Sequence, residues 1–258
     1  MTGKPAIGVL ALARSTFDVP FAEEIAAKAY AALDAQGVEV IGPRGLLFDA
    51  AEARAALPAL RERALDRILL LQVTFTDASM TVEIARAFDV PLAIWAFPEP
   101  RLGGRLRLNS FCGLNLAAHA LGKIGRPHGW LYGMPDAVGG DLAALLAGGR
   151  MVAPGAARRV SAPADAAANR GLERLKGATI GLIGEHPAGF DTCAYDPAAL
   201  DALTGTRVDP RPLSTLFERA RAVPAAALAA PRARVAADVA GLDTRAPAQH
   251  DQTLPRAD

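Results

Sequence analysis

The stretch Ala6-Ile7-Gly8-Val9-Leu10-Ala11-Leu12, followed by Ala13-Arg14-Ser15-Thr16-Phe17-Asp18-Val19-Pro20, decides the fold class. Seven apolar residues without alternation describe a strand covered on both faces, the environment of a parallel sheet flanked by helices. Asp18 stands where a helix cap belongs and Pro20 falls in the first turn, so the chain passes from buried strand into crossover helix. The same change of period recurs. Apolar runs at 38–41, 67–73, 91–97 and 129–132 alternate with segments of three-to-four spacing at 21–36, 52–66, 78–88, 112–121 and 136–146. Five strand-helix repeats predict a doubly wound parallel α/β domain, Rossmann-like or flavodoxin-like, over residues 1–150.

Residues 151–176 read as a linker or helix, because 151–168 is rich in Ala, Pro and Gly. From 177 to 258 a partial second α/β domain is expected, with strands at 178–184 and 207–213 and helices at 197–203 and 214–221, the last capped by Ser214. Two strands make a marginal sheet, and the weakly periodic residues after 232 add none. The second domain therefore reads as incomplete.

Composition narrows the function. The 258 residues are 51% hydrophobic and 21% charged, which excludes a disordered chain, and a formal net charge of +1 argues against nucleic acid as a partner. The longest run without Asp, Glu, Lys or Arg, 108–122, is shorter than a membrane span and contains Asn109, Asn115 and His119, so no membrane partner is expected. Lys4 before an apolar stretch has the outline of a secretory leader, but the stretch is short, contains Gly8 and runs into Arg14. A cytoplasmic location is the expectation. Cys112 and Cys193 form no CxxC pair and are expected as small buried residues.

Ligands of open α/β sheets gather at the carboxyl ends of the strands, so the residues after each strand are the candidates. Arg14 follows the first strand, where a cation can hold a substrate oxygen; a surface arginine is the alternative. Gln72 and Thr74 follow the third and can bond to hydroxyls, with Thr76 or Asp77 capping the next helix. Trp95 and Glu99 follow the fourth, an indole and a carboxylate suited to stacking on and bonding to a sugar, with core packing the alternative for Trp95 and the reading for Phe97. Arg105, Arg107 and Asn109 alternate with leucines and share one face if the backbone is extended, a face for an anion or a neighbouring subunit, with a solvated edge as the alternative. Glu185, His186 and Asp191 are the weak candidates for acid, base or metal ligand, separated by Pro187 and Gly189, which fit a type I turn. No HExxH, P-loop, GxSxG or GxGxxG motif occurs.

Four segments, ARSTFDVPFAEE (13–24), LQVTFTD (71–77), WAFPEPRLGGRLRLNSFCGLNLAAHAL (95–121) and NRGLERLKGATIGLIGEHPAGFDTCAYD (169–196), together resemble the L-fucose isomerase-like family of sugar isomerases. The resemblance covers nearly the whole chain. It implies aldose-ketose interconversion on two α/β domains followed by a β-rich third, in an oligomer. It also implies a catalytic manganese held by a Glu, an Asp and a His of the second and third domains, with a carboxylate moving the proton through an enediol. Arg14 and Trp95 match a first-domain Arg and Trp that reach a neighbour's active site in such enzymes. The matching metal ligands are expected beyond Asp258. The expectation is thus a sugar isomerase-related chain, an N-terminal portion without the metal-binding C-terminal domain and inactive alone, with a sugar as partner and a homo-oligomer or a missing C-terminal segment completing it. The alternative is a non-catalytic sugar-binding or oligomer-assembly module.

Overall fold

The computed structural model describes residues 4–100, 103–149, 151–152 and 166–239. In chain order the first unit contains β1 (Ala6–Leu12), α1 (Val19–Asp34), β2 (Glu39–Ile41), β3 (Leu46–Leu47), α2 (Ala50–Arg61), β4 (Arg67–Gln72), α3 (Ser79–Ala87), β5 (Leu92–Ala96), α4 (Ser110–Lys123), β6 (His128–Tyr132), α5 (Gly139–Leu146) and β7 (Met151–Val152). The α/β class and the five repeats expected from the sequence are present, with helix ends displaced by a few residues.

The sheet order is β2-β1-β4-β5-β6-β7, and β3 continues the edge that β2 begins: β2 pairs with Ala6 to Gly8 of β1, β3 with Ala11 and Leu12. All pairings are parallel except β6 with β7, which is antiparallel. If β2 and β3 are taken as one interrupted strand, the order before β7 is that of flavodoxin-like sheets, with its switch point between β1 and β4. The short β3 and β7 escape a sequence reading because two residues carry no period.

Successive strand residues point to opposite faces and fill two cores. Ile7, Val9, Leu69, Leu71, Ala93 and Trp95 pack under α1 and α5, while Leu10, Leu12, Ile68, Leu70, Ile94 and Ala96 pack under α2, α3 and α4. Asp18 caps α1 by accepting from the Phe21 amide at 3.2 Å, as its place before Pro20 predicts. Asp49 caps α2 by accepting from Ala51 and Glu52. Neither cysteine is buried: Cys112 and Cys193 are both exposed free thiols, because Cys112 lies on the outer side of the first turn of α4 and Cys193 on a short 3₁₀ turn, Asp191–Cys193.

The second unit contains α6 (Ala166–Leu175), β8 (Thr179–Ile183), α7 (Pro197–Thr204), β9 (Arg207–Arg211), α8 (Leu213–Ala222) and α9 (Ala225–Asp238). Its sheet, among the described residues, is the parallel pair β8-β9, and β8 is exposed along its length. Asp196 caps α7, but Ser214 does not cap α8; Pro212 holds the cap position and Ser214 lies inside the first turn. Residues 187–194 leave this unit and group with the first. No described helix is long and apolar enough to cross a membrane.

His128 opens β6 buried, with Nδ1 donating to the Arg126 carbonyl at 3.3 Å, and burial holds its imidazole below the ordinary 6.5. The unfolded chain therefore takes up a proton that the folded chain resists. Stability is complete above about pH 6.5 and is lost as pH falls below it. Thermal midpoints of the wild type should fall between about pH 7 and pH 5 more steeply than those of His128→Asn; parallel profiles would contradict the assignment.

Candidate functional site

The β1/β4 crevice is built from two loops and roofed by a third. Leaving β1, the Arg14 amide donates to Thr74 Oγ1 at 2.8 Å, which ties the two loops together at the switch point. The Arg14 guanidinium forms an ion pair with Asp77, and Asp77 also accepts from the Ser79 amide at 2.9 Å at the start of α3. Arg14 is about one-third exposed, and no other hydrogen bond to its guanidinium occurs among the described residues. Neither Thr76 nor Asp77 holds the cap position of α3, which falls to Ala78 without a side-chain cap bond, and Asp77 serves Arg14 instead.

The roof is the segment 103–109 after β5. Its Leu108 carbonyl accepts from the Phe75 amide at 2.7 Å and its Arg107 carbonyl from the Asp18 amide at 3.1 Å, so one loop is fastened to the mouths of both β1 and β4. Glu99 holds this loop from within. Its carboxylate accepts from the amides of Arg107 at 3.0 Å, Leu108 at 2.9 Å and Asn109 at 2.6 Å. Three amide donors converging on one anion form a nest, beside the N-terminus of α4 where negative charge is favoured.

This geometry revises several sequence expectations. Trp95 does not face the mouth: it is fully buried between β5 and the α1/α5 layer, 5.1 Å from Phe97, and its indole donates to the Gly133 carbonyl at 2.9 Å. Alternation along β5 decides this, since Trp95 shares the inward face with Ala93. Gln72 and Thr74 sit at the expected edge but are buried, Gln72 donating to the Thr74 carbonyl and Thr76 Oγ1, and Thr74 serving Arg14. They brace the loops instead of presenting hydroxyl-binding groups. Gly113 gives Gln72 its room, since a Cβ there would lie 2.8 Å from Gln72 Nε2.

Arg105, Arg107 and Asn109 do not lie on an extended face, because Gly103, Gly104 and Asn109 adopt positive φ and coil the segment. Arg107 turns to Asp18 at 2.8 Å and over the Phe21 ring at 3.8 Å, whereas Arg105 reaches the Thr16 carbonyl at 3.4 Å. Arg107 holds the Asp18 carboxyl below its ordinary value, through the hydrogen bond first and with the Phe21 amide assisting.

Glu185 and His186 lie exposed in the second unit, while residues 187–194 pack with the first; the Asp191 side chain lies outside the described residues. No trio of His, Cys, Asp and Glu able to hold a metal occurs among the described residues. The described side chains do not fit a manganese ion. The turn in this segment spans 187–190, one residue later than its sequence suggests, with Gly189 at φ 79 where a Cβ would lie 2.9 Å from Asp77. Phe190 then packs on Phe75 at 5.6 Å and Phe75 on Phe17 at 6.2 Å, closing one side of the crevice with aromatic rings.

Sequence reasoning also missed Phe111 and Tyr132, exposed rings 5.0 Å apart at the carboxyl edge of β6. The signal was present in His128-Gly129-Trp130-Leu131-Tyr132, where Trp130 and Tyr132 alternate onto one face while the inner strands carry apolar residues throughout. Burial pushes the Tyr132 hydroxyl up, with the negative charge of Glu99 adding to the effect.

A flavodoxin-like sheet with a cation, carboxylates and aromatic rings gathered around its switch-point crevice defines an α/β domain of the doubly wound class with a candidate site at that crevice. Residues 8–152 match the N-terminal domain of the fucose/sulfoquinovose isomerase family, and the chain belongs to that family. Sulfoquinovose isomerases of Priestia aryabhattai and Priestia megaterium are each 27% identical over 213 residues, covering 83% of this chain and 44% of theirs. That of Alkalicoccus urumqiensis is 32% identical over 161 residues, 62% of this chain and 32% of its own. The chain spans less than half the length of these relatives.

Proposed function

We propose that this chain supplies the sugar-recognition part of an aldose-ketose isomerase acting on sulfoquinovose or a related hexose, with Arg14 binding a substrate oxygen. The observation that carries the reading is the partly buried Arg14-Asp77 pair, its arginine about one-third exposed, at the crevice where β1 and β4 diverge. Asp77 fixes the guanidinium while its remaining donors have no hydrogen-bond partner among the described residues, which suits a sugar hydroxyl or carbonyl oxygen. Proton transfer through an enediol needs a positioned base and electrostatic stabilisation of the developing oxyanion. The described residues offer binding groups but no metal set for that step.

Two measurements follow. Arg14→Ala should weaken sulfoquinovose binding by about tenfold, the loss expected for a charge-assisted hydrogen bond; unchanged affinity would remove Arg14 from the site. The purified 258-residue chain supplied with Mn²⁺ should bind sugar without interconverting aldose and ketose. Metal-dependent turnover would place a complete active site in this chain and direct attention to Glu185, His186 and Asp191.

Exposed Trp130, Tyr132 and Phe111 favour a second reading, in which this surface is covered in a homo-oligomer. Light scattering of wild type and Trp130→Asp tests it: the variant should dissociate, and identical masses would sink the reading.

A further inference from the structure

We infer that Arg105 is a specificity-determining residue, which binds the anionic end of the substrate and selects a sulfonated sugar over its neutral counterpart. The inference rests on the sugar-binding reading above and adds the residue that discriminates. A groove of about 430 Å³, lined by Phe17, Asp18, Arg105, Leu106 and Arg107, opens beside the crevice. That volume is in the range of small-molecule sites.

The charges in the groove are unequal. Asp18 and Arg107 neutralise each other through their 2.8 Å contact, and Arg107 is further held over the Phe21 ring. Arg105 has no carboxylate in hydrogen-bond contact among the described residues; its guanidinium reaches the Thr16 carbonyl at 3.4 Å, at the outer limit of a hydrogen bond. Its charge is felt by Asp18, whose carboxyl it helps to hold low, yet Asp18 is already committed to Arg107 and the Phe21 amide. One positive charge is therefore left for a ligand.

The position is also prepared by the backbone. Gly103 at φ 78 and Gly104 at φ 75 turn the chain in front of Arg105, and the Glu99 nest anchors the chain just behind it. A planar guanidinium presents paired donors that match two oxygens of a tetrahedral oxyanion, and a sulfonate carries its charge at every physiological pH. Leu106, half exposed, offers an apolar wall to the ring carbons next to that group. A phosphate would satisfy the same guanidinium, so the test includes it.

The experiment is calorimetric titration of the whole chain with sulfoquinovose, glucose, glucose 6-phosphate and inorganic sulfate, for wild type, Arg105→Gln and Arg105→Lys, with circular dichroism as a folding control. Among the described residues Arg105 bonds to a single backbone carbonyl, so both variants should fold. Wild type should prefer sulfoquinovose to glucose by about fivefold or more, the scale of one exposed charge pair. That preference should shrink with added salt, vanish in Arg105→Gln and persist in part in Arg105→Lys, with glucose affinity unchanged throughout. A preference retained by Arg105→Gln, a wild type blind to the sulfonate, or equal binding of inorganic sulfate by wild type and Arg105→Gln would overturn the assignment while leaving the sugar-binding reading standing. A wild type that favours glucose 6-phosphate over sulfoquinovose would overturn the sulfonate as the selected group. Failure of wild type to bind any of the sugars would overturn both.

Discussion

Trp95→Ala is expected to cost about 3–5 kcal/mol of stability, the range for truncating a large buried aromatic, without changing sugar affinity in the molecules that remain folded. The ring is fully buried, packs 5.1 Å from Phe97 and gives its one donor to the Gly133 carbonyl. Alanine would leave a cavity in the α1/α5 core and an unsatisfied carbonyl at the β6 end. Trp95→Phe separates the two contributions: most packing is kept, the indole N–H is lost, and the expected cost falls to about 1–2 kcal/mol. Urea unfolding measures both, and sugar titration at low urea completes the comparison. A tenfold loss of affinity with full stability would return the indole to the binding site.

Glu99→Ala is expected to release the loop over the crevice, at a cost on the order of 2–3 kcal/mol for three partly exposed amide contacts to one carboxylate. Without the carboxylate, the amides of Arg107, Leu108 and Asn109 lose their acceptor and α4 loses the negative charge beside its N-terminus. Hydrogen exchange is the direct readout: those three amides should exchange about thirtyfold faster or more, while the amides of β4 and β5 keep their protection. Glu99→Gln retains one acceptor oxygen and should fall between. Because Arg105 and Arg107 ride on this loop, sulfoquinovose affinity should fall in parallel. Unchanged exchange at 107–109 combined with lost affinity would make Glu99 a direct sugar ligand instead.

These two residues show where sequence reasoning stops. The sequence reading sets both Trp95 and Glu99 after the fourth strand; Glu99 does follow it, but Trp95 is a residue of β5 itself. Whether an indole at a strand's carboxyl end points to core or mouth depends on the face it shares with its neighbours. That in turn depends on which helices cover each face of the sheet. The sequence marks Glu99 as a ligand for a sugar, whereas its partners are backbone amides eight to ten residues later, brought back by glycines whose positive φ no apolar period reports. Gln72 and Thr74 followed the same course. They are polar and at the functional edge, yet turned inward to hold Arg14 and its loop.

The sequence by itself determined the strand-helix alternation, the doubly wound class and the family, because apolar period, caps and turn residues are local and recur along the chain. It also marked Arg14, since a charged residue immediately after a buried strand must emerge at the sheet's carboxyl edge. The pairing of Arg14 with Asp77, the division of labour between Arg105 and Arg107, and the return of residues 187–194 to pack Phe190 on Phe75 were decided by tertiary structure alone. Each joins segments distant in sequence, and the geometry that selects one partner over another exists once the sheet order and the loop conformations have brought them together.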